Sequence, residues 1–115
     1  MKKAIKRGEV YWVNFGPPLG RRPALIIQND IGNKFAPTVI IATITSIPSL
    51  KTYPTDVLLA DGIPLKKNSR VLTSTILTIL KENLEDYLTV LPKEIMEKVD
   101  LALMVSLDLE KYTRK

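Results

Sequence analysis

Two runs of β-forming residues, RRPALIIQ (residues 21–28) and TVIIATITS (residues 38–46), decide the fold of this chain. Branched Val, Ile and Thr side chains dominate the second run and suit the pleated surface of a strand. In the first run the residues from Ala24 to Ile27 are all apolar, which predicts a strand that is buried on both faces. We therefore expect the two runs to form the centre of a β-sheet.

Shorter segments around these runs predict further strands. Residues 9–15 and 55–59 each have the composition of a strand, and residues 70–76 and 78–80 predict one or two more. Residues 29–33 have the composition of a turn. Short strands that are separated by Gly and Pro predict a mainly β fold, either a small curled sheet or a barrel.

The C-terminal third has a different character. After Pro92, which suits the start of a helix, apolar residues recur at helical spacing as far as Leu107. Residues 101–109 are almost wholly apolar, which is wider than one helical stripe. Two explanations are open: this end of the helix is deeply packed, or a second subunit covers it.

Composition limits the chemistry. The 115 residues predict a single domain, 1–115, and an apolar content of 45% with 25% charged residues describes a soluble globule. There is no Cys and no His, which excludes disulfides, thiolate metal sites and imidazole catalysis and fits a reducing, cytoplasmic location. We also expect no membrane span and no secretory signal.

The charge is unevenly distributed. The net charge is +5, and residues 1–75 carry +7 whereas residues 76–115 carry −2. This asymmetry favours a phosphate-binding surface on the first two-thirds of the chain. Surplus lysines that only keep a small protein soluble explain it equally well.

Arg22 and Thr45 are the candidate site residues within the two central runs. Arg22 follows a Gly-containing loop, and its planar guanidinium suits phosphate oxygens, although a strand-end Arg also pairs with carboxylates. Thr45 lies in a β-branched run, where Thr is commonly just a good strand residue. On a regular strand Ser46 would face away from Thr45, so that only one of the two faces a given site.

Several motifs occur in an order that resembles the MazF/PemK (Kid) family of toxin endoribonucleases from type II toxin–antitoxin systems. The motifs are Arg7-Gly8-Glu9-Val10-Tyr11-Trp12-Val13, Arg22-Pro23 with its apolar run, Gln28-Asn29-Asp30, and Pro37-Thr38 leading to Ile44-Thr45-Ser46. The resemblance extends from about residue 7 to about residue 109. It implies an SH3-like barrel of the MazF/CcdB/Kid type with a C-terminal helix, assembled as a homodimer.

The resemblance also implies an activity. In this family a ribose 2′-hydroxyl attacks the neighbouring phosphate of single-stranded RNA without a metal ion or cofactor, and a 2′,3′-cyclic phosphate remains. Arg22 and Thr45 occupy the positions of the family's active-site residues, with Arg22 as the electrostatic clamp and Thr45 as a hydrogen-bond partner of the phosphate. The general base is open among Glu9, Asp30, Asp56 and Asp61, since the loop before Arg22 is shorter than in relatives.

We predict further RNA contacts from basic, aromatic and hydroxyl side chains in the first two-thirds of the chain. These are Arg21, Lys51, Tyr53, Lys66, Lys67, Arg70 and Thr75. Aromatic residues either stack on bases or pack in the core, and we expect Phe35 and one of Tyr11 and Trp12 to be core residues.

Partners follow from the resemblance as well. It implies a cognate antitoxin with an acidic C-terminal tail that lies in the basic groove, and contact with operator DNA only through the antitoxin complex. Two other functions stay open. One is a non-catalytic regulator that binds nucleic acid or antitoxin, which is favoured by the short loop and by Thr75 and Leu77, where many relatives have Gln and Arg. The other is a CcdB-like gyrase poison, which ranks last because the chain does not end in Trp.

Overall fold

A computed structural model describes residues 4–48, 51–60 and 62–112. The elements follow one another along the chain as β1 (Glu9–Asn14), β2 (Arg21–Ile26), α1 (Asp30–Phe35), β3 (Thr38–Thr45), β4 (Asp56–Leu58), β5 (Arg70–Leu80), β6 (Leu84–Val90) and α2 (Lys93–Ser106). Short 3₁₀ turns lie at Lys81–Asn83 and Glu110–Tyr112. None of the helices in these residues has the length and apolar character that a membrane span needs.

The six strands form one antiparallel sheet in the order β4-β5-β3-β2-β1-β6. The two β-forming runs of the sequence contain β2 and β3, which occupy the centre of the sheet. The sheet is not closed, because β4 and β6 are its two edges. With six strands in one sheet and α2 after them, the prediction of a mainly β fold with a C-terminal helix is confirmed.

The middle of β2 is buried on both faces, as its apolar sequence predicts. Leu25 belongs to a core cluster that α2 covers with Ile95, Val99 and Ala102. Ala24 and Ile26, which point to the other face, belong to a second cluster with Tyr11, Val13, Val39 and Ile41. Partly buried apolar residues from the ends of β5 and β6, Leu77, Ile79 and Leu84, pack against this second cluster. The two layers hold the centre of the sheet from both sides.

The prediction of a turn at residues 29–33 was wrong, because α1 begins there. The Asn29 side chain caps the helix by accepting a hydrogen bond from the Gly32 N–H at 2.8 Å. The carboxylate of Asp30 accepts the Arg7 N–H at 2.7 Å and the Asn33 side-chain amide at 3.0 Å. Residues that are common in turns serve here as a helix cap.

The sequence left one strand region open and missed another strand. Residues 70–80 form a single strand, one of the two alternatives that the sequence allowed, with a register shift opposite Ala42 and Thr43. No strand was predicted at β6, where Glu85 and Asp86 interrupt the apolar pattern. Because β6 is an edge strand that pairs only with β1, charged side chains are well tolerated there.

One of the two predictions about aromatic core residues is confirmed and the other is wrong. Tyr11 is a core residue with 2% of its surface exposed, and its burial, together with its hydrogen bond to Glu9, raises the pKa of its hydroxyl. The prediction that Phe35 is a core residue was wrong, because it is 74% exposed at the end of α1. Among the residues of α1 only Asn33 is buried, so this short helix contributes no apolar side chain to the core.

One face of α2 and the segment after it stay exposed. Within the chain α2 buries Ile95, Val99 and Ala102, but Leu101, Leu107 and Leu109 are exposed. Deep packing within the chain therefore does not account for these three side chains. Cover by a second subunit stays a prediction.

Truncating the core at Ile41 should destabilise the protein strongly. Ile41 is fully buried in the second cluster, so Ile41→Ala leaves a cavity and should lower the free energy of unfolding by about 2–5 kcal/mol. The matched control is Ile31→Ala on the exposed face of α1, which should change it by less than about 0.5 kcal/mol. Urea unfolding measures both; equal effects would contradict this description of the core.

Asp30 should make stability depend on pH in the acid range. Two hydrogen bonds to its carboxylate lower the pKa of Asp30 from its usual 3.8. The bond from the Arg7 N–H has the larger effect, and the bond from the Asn33 side-chain amide has the smaller. A lowered pKa stabilises the fold above the unfolded-state pKa, and the contribution is lost as pH falls through the folded-state pKa. Asp30→Asn should therefore unfold more easily than the wild type at pH 7, with the difference shrinking below about pH 4. A difference that stays constant with pH in urea titrations would contradict this.

Candidate active site

A cavity of about 710 Å³ opens where β2 begins and β3 ends. Four segments contribute to it: β1, the loop before β2 with the first residues of β2, the end of β3, and the loop before β5. The lining residues are Trp12, Leu19, Arg21, Arg22, Pro23, Ile44, Thr45, Ser46, Pro64, Leu65, Lys66 and Ser69. The structure thus brings the two predicted catalytic residues, Arg22 and Thr45, to one cavity.

Backbone contacts hold Arg22 in place. Its Nε donates a hydrogen bond to the Leu19 carbonyl at 2.8 Å, and its own backbone is paired with Val13 of β1. Gly20, with φ at +71°, makes the tight turn that leads into β2. Among the described residues no carboxylate forms an ion pair with Arg22. Its positive charge is therefore available to an anionic ligand.

Thr45 ends β3 and is 9% exposed. Its Oγ1 accepts a hydrogen bond from the Ile47 N–H at 3.2 Å. The pairing of β2 with β3 ends at Ala24 and Thr43, so Arg22 and Thr45 each lie two residues beyond this last pair, at the same end of the two strands. The expectation that Ser46 faces away from this site was wrong: regular alternation stops where β3 ends, and Ser46 lines the same cavity.

Trp12 is a cavity residue that the sequence prediction of the site omitted. The Arg21 guanidinium lies 4.6 Å from the centre of the Trp12 ring, a cation–π contact. Alternation along β1 was the available signal, because it places Trp12 on the face opposite the buried Tyr11.

Arg21 also lies at the cavity, but its charge is compensated. Its Nε is 2.7 Å from a Glu85 oxygen and its Nη2 is 3.5 Å from an Asp86 oxygen. These carboxylates belong to β6, the strand that the sequence did not predict. Two neighbouring arginines therefore differ: Arg22 faces the cavity with an uncompensated charge, and Arg21 is held by acids on an edge strand.

The other predicted RNA contacts are divided between the cavity and its surroundings. Lys66 lines the cavity, and Lys67 lines with it an adjoining hollow of about 340 Å³. Tyr53, Lys51 and Thr75 are exposed residues that do not line the cavity. Arg70 is turned to the protein itself, because its Nη1 donates to the Ile47 carbonyl at 2.6 Å.

Carboxylates are absent from the described residues that line the cavity. Glu9 accepts the Tyr11 hydroxyl and Asp30 accepts the Arg7 N–H, while Asp56 pairs with Arg70. Asp61 lies outside the described residues. Cations and hydroxyls thus dominate the polar groups of the cavity, an arrangement that binds phosphate and stabilises negative charge on it.

Comparison with known proteins agrees with this chemistry. Residues 6–107 match the family described as PemK-like, MazF-like toxin of type II toxin-antitoxin system. The chain belongs to this family. The MazF-like chain is 43% identical over 111 residues to endoribonuclease EndoA of Bacillus subtilis (strain 168), an alignment that covers 91% of this chain and 96% of EndoA. The family predicted from the sequence motifs is confirmed.

Solved structures support the same assignment. An endoribonuclease in complex with its cognate antitoxin from a Mycobacterial species superposes on this MazF-like chain with a TM-score of 0.83 and 32% identity, covering 92% of this chain and 97% of that one. A MazE-MazF structure from Deinococcus radiodurans superposes with a TM-score of 0.76 and 24% identity, covering 92% and 97%. The second match shows the shared fold alone.

Neutralising the acids that hold Arg21 should strengthen RNA binding by this MazF-like protein. In Glu85→Gln/Asp86→Asn the Arg21 guanidinium is free to contact a phosphate, so affinity for a 2′-O-methylated, uncleavable RNA should rise. The slope of log affinity against log salt should steepen by about 0.7.

The matched control, Glu94→Gln/Glu97→Gln, removes two charges from exposed residues of α2. It should leave both the affinity and the salt slope close to the wild-type values in fluorescence anisotropy titrations. An equal rise in both variants would show that net charge, rather than release of Arg21, is responsible.

Proposed function

We propose that this MazF-like protein is an endoribonuclease toxin that cleaves single-stranded RNA without a metal ion. One observation carries the proposal: Arg22, whose charge no described carboxylate compensates, shares a cavity with the Thr45 hydroxyl in a chain of this family. The similarity to EndoA, an endoribonuclease by name, supports RNA as the substrate.

The reaction is an internal phosphoryl transfer. The ribose 2′-oxygen forms a bond to the adjacent phosphorus, the bond from phosphorus to the 5′-oxygen breaks, and the products end in a 2′,3′-cyclic phosphate and a 5′-hydroxyl. Water accepts the proton from the 2′-hydroxyl and supplies the proton for the departing 5′-oxygen, because the described cavity residues include no carboxylate or imidazole. Negative charge accumulates on the non-bridging phosphate oxygens in between, and stabilising it is the main demand on the site.

Arg22 and Thr45 meet that demand. The guanidinium of Arg22 stays protonated, so it acts as a charge clamp on the phosphate and is a poor proton donor or acceptor. Thr45 donates its hydroxyl hydrogen to a phosphate oxygen. The described cavity residues include no carboxylate or imidazole. The rate enhancement therefore comes from orientation and charge stabilisation in this proposal.

A cognate antitoxin with an acidic tail and a second copy of the chain are the proposed partners. The toxin in the Mycobacterial structure is bound to its antitoxin, and the net charge of +7 on residues 1–75 suits an acidic tail that blocks the cavity. The second copy covers the exposed apolar side chains Leu101, Leu107 and Leu109. Operator DNA is contacted only through the antitoxin complex, and the toxin acts in the cytoplasm.

A non-catalytic, RNA-binding protein of the same fold is the second candidate. The observation that favours it is the lack of a carboxylate among the described residues of the cavity. The two candidates differ in a single measurable property, cleavage of bound RNA.

Incubation of a long, unstructured RNA with purified protein in excess EDTA tests the proposal. We expect discrete fragments with 2′,3′-cyclic phosphate ends. Arg22→Ala and Thr45→Val should each lower the cleavage rate by about 10²–10³-fold, since each removes a donor to the charged phosphate. Lys93→Ala, at the exposed start of α2, is the matched control and should cleave at the wild-type rate.

Folded wild-type protein that binds the RNA and leaves it intact would overturn cleavage and establish the binding protein. Fragments that appear equally with Arg22→Ala would point to a contaminating nuclease or to another site.

A further inference from the structure

We propose that Arg70 is a positioning residue for the active site, which acts through the Ile47 peptide to orient the Thr45 hydroxyl. The inference deepens the proposed function and rests on it. Arg70 does not line the cavity, and its role is therefore distinct from that of Arg22.

The contact network links Arg70 to Thr45 in two steps. Arg70 Nη1 donates to the Ile47 carbonyl at 2.6 Å, and the Ile47 N–H donates to Thr45 Oγ1 at 3.2 Å. Arg70 and Thr45 are also register partners on β5 and β3. Ile47 is thus held at both of its backbone polar groups, although it lies beyond the end of β3 and its side chain is 58% exposed.

The Ile47 N–H determines what the Thr45 hydroxyl can do. A threonine hydroxyl has one hydrogen to donate and two lone pairs that accept. The Ile47 N–H occupies one lone pair, so the hydroxyl hydrogen must point away from Ile47. Because Thr45 lines the cavity, its hydrogen is then available to a phosphate oxygen there. Movement of Ile47 would remove this bias and leave the hydroxyl free to rotate.

Asp56 holds Arg70 from the other side. Its Oδ2 lies 3.6 Å from Arg70 Nε, and the two side chains are only 8% and 18% exposed. Shielding from water strengthens this attraction relative to a surface pair. The guanidinium therefore lies between Asp56 of β4 and the Ile47 carbonyl, with one hydrogen bond to Ile47 and a charge attraction to Asp56 at a distance beyond hydrogen bonding. The network runs from the edge strand β4 through β5 to the end of β3.

A double-mutant cycle on the cleavage rate tests the proposal, with a short RNA that spans one site mapped for the wild type. Arg70→Met keeps the apolar stem and removes the contact to Ile47. We expect it to lower kcat about tenfold or more with KM little changed, because the contact orients a catalytic group. In a Thr45→Val background, which has no hydroxyl to orient, Arg70→Met should cause no further loss.

Three variants make the test specific. Arg70→Lys, which can still donate to the Ile47 carbonyl, should recover part of the lost kcat. Arg70→Met alone leaves the shielded Asp56 carboxylate without its cationic partner, which destabilises the fold. If that variant fails to fold, Asp56→Asn/Arg70→Met takes its place in the cycle. Lys93→Met removes a positive charge at the exposed start of α2 and should match the wild type.

Two results in the cycle would overturn the proposal. An equal loss of kcat in the wild-type and Thr45→Val backgrounds would mean that Arg70 acts independently of the hydroxyl. A rise in KM with a shallower salt dependence would mean that Arg70 contacts an RNA phosphate directly.

Amide hydrogen exchange at Ile47 separates failure of this proposal from failure of the proposed function. If the wild type does not cleave RNA, the endoribonuclease proposal fails, and exchange decides the positioning role alone. The Ile47 amide should then exchange faster in both Arg70→Met and Thr45→Val than in the wild type, and unchanged exchange in Arg70→Met overturns the link.

Discussion

Burial of β2 on both of its faces is the constraint on which the rest of the structure depends. Ala24, Leu25 and Ile26 are inaccessible to water, and each packs into one of two clusters on opposite faces of the sheet. A one-residue slip of this strand would move Leu25 into the cluster that Ala24 and Ile26 fill, and would disrupt close packing on both faces. Its first residues therefore leave the core at a fixed place. Arg22 is presented there, next to the end of β3, where Thr45 lies.

The distribution of carboxylates then distinguishes one arginine from its neighbours. Arg7 pairs with Asp100 at 2.9 Å and joins the N-terminal segment to α2. Arg21 is held by acids of β6, and Arg70 by Asp56 of β4. Arg7 and Arg70 also donate to backbone carbonyls, but within the described residues Arg22 alone of these four has no carboxylate partner. A guanidinium that is oriented but not neutralised suits transient binding of a phosphate, whereas the paired arginines support the scaffold.

Sequence reasoning succeeded where the local pattern and the tertiary environment agree. The continuous apolar run of β2, the branched residues of β3 and the helical spacing of α2 are strong signals, since each matches the burial that the element receives. It failed where a neighbour changes the role of a residue. Asn29 and Asp30 are typical of turns. In the structure Asn29 caps α1 by accepting the Gly32 N–H, and Asp30 links the start of α1 to the N-terminal segment by accepting the Arg7 N–H. Glu85 and Asp86 interrupt the apolar alternation that predicts a strand, so β6 was missed. An edge strand tolerates such charged side chains.

The sequence by itself determined the fold class, the family and the two residues proposed to act on the phosphate, because these depend on side-chain periodicity and on motifs that are local in the chain. Only the tertiary structure decided which charges remain available. The carboxylate partners of Arg21 lie on β6, with Glu85 64 residues away along the chain, and the carboxylate partner of Arg70 lies on β4; no local pattern predicts such pairs. The same holds for Trp12 and for the Ile47 peptide, whose roles arise from the meeting of β1, β2, β3 and β5 at one end of the sheet. Charge compensation acts through space, so it is settled only when the strands are in place.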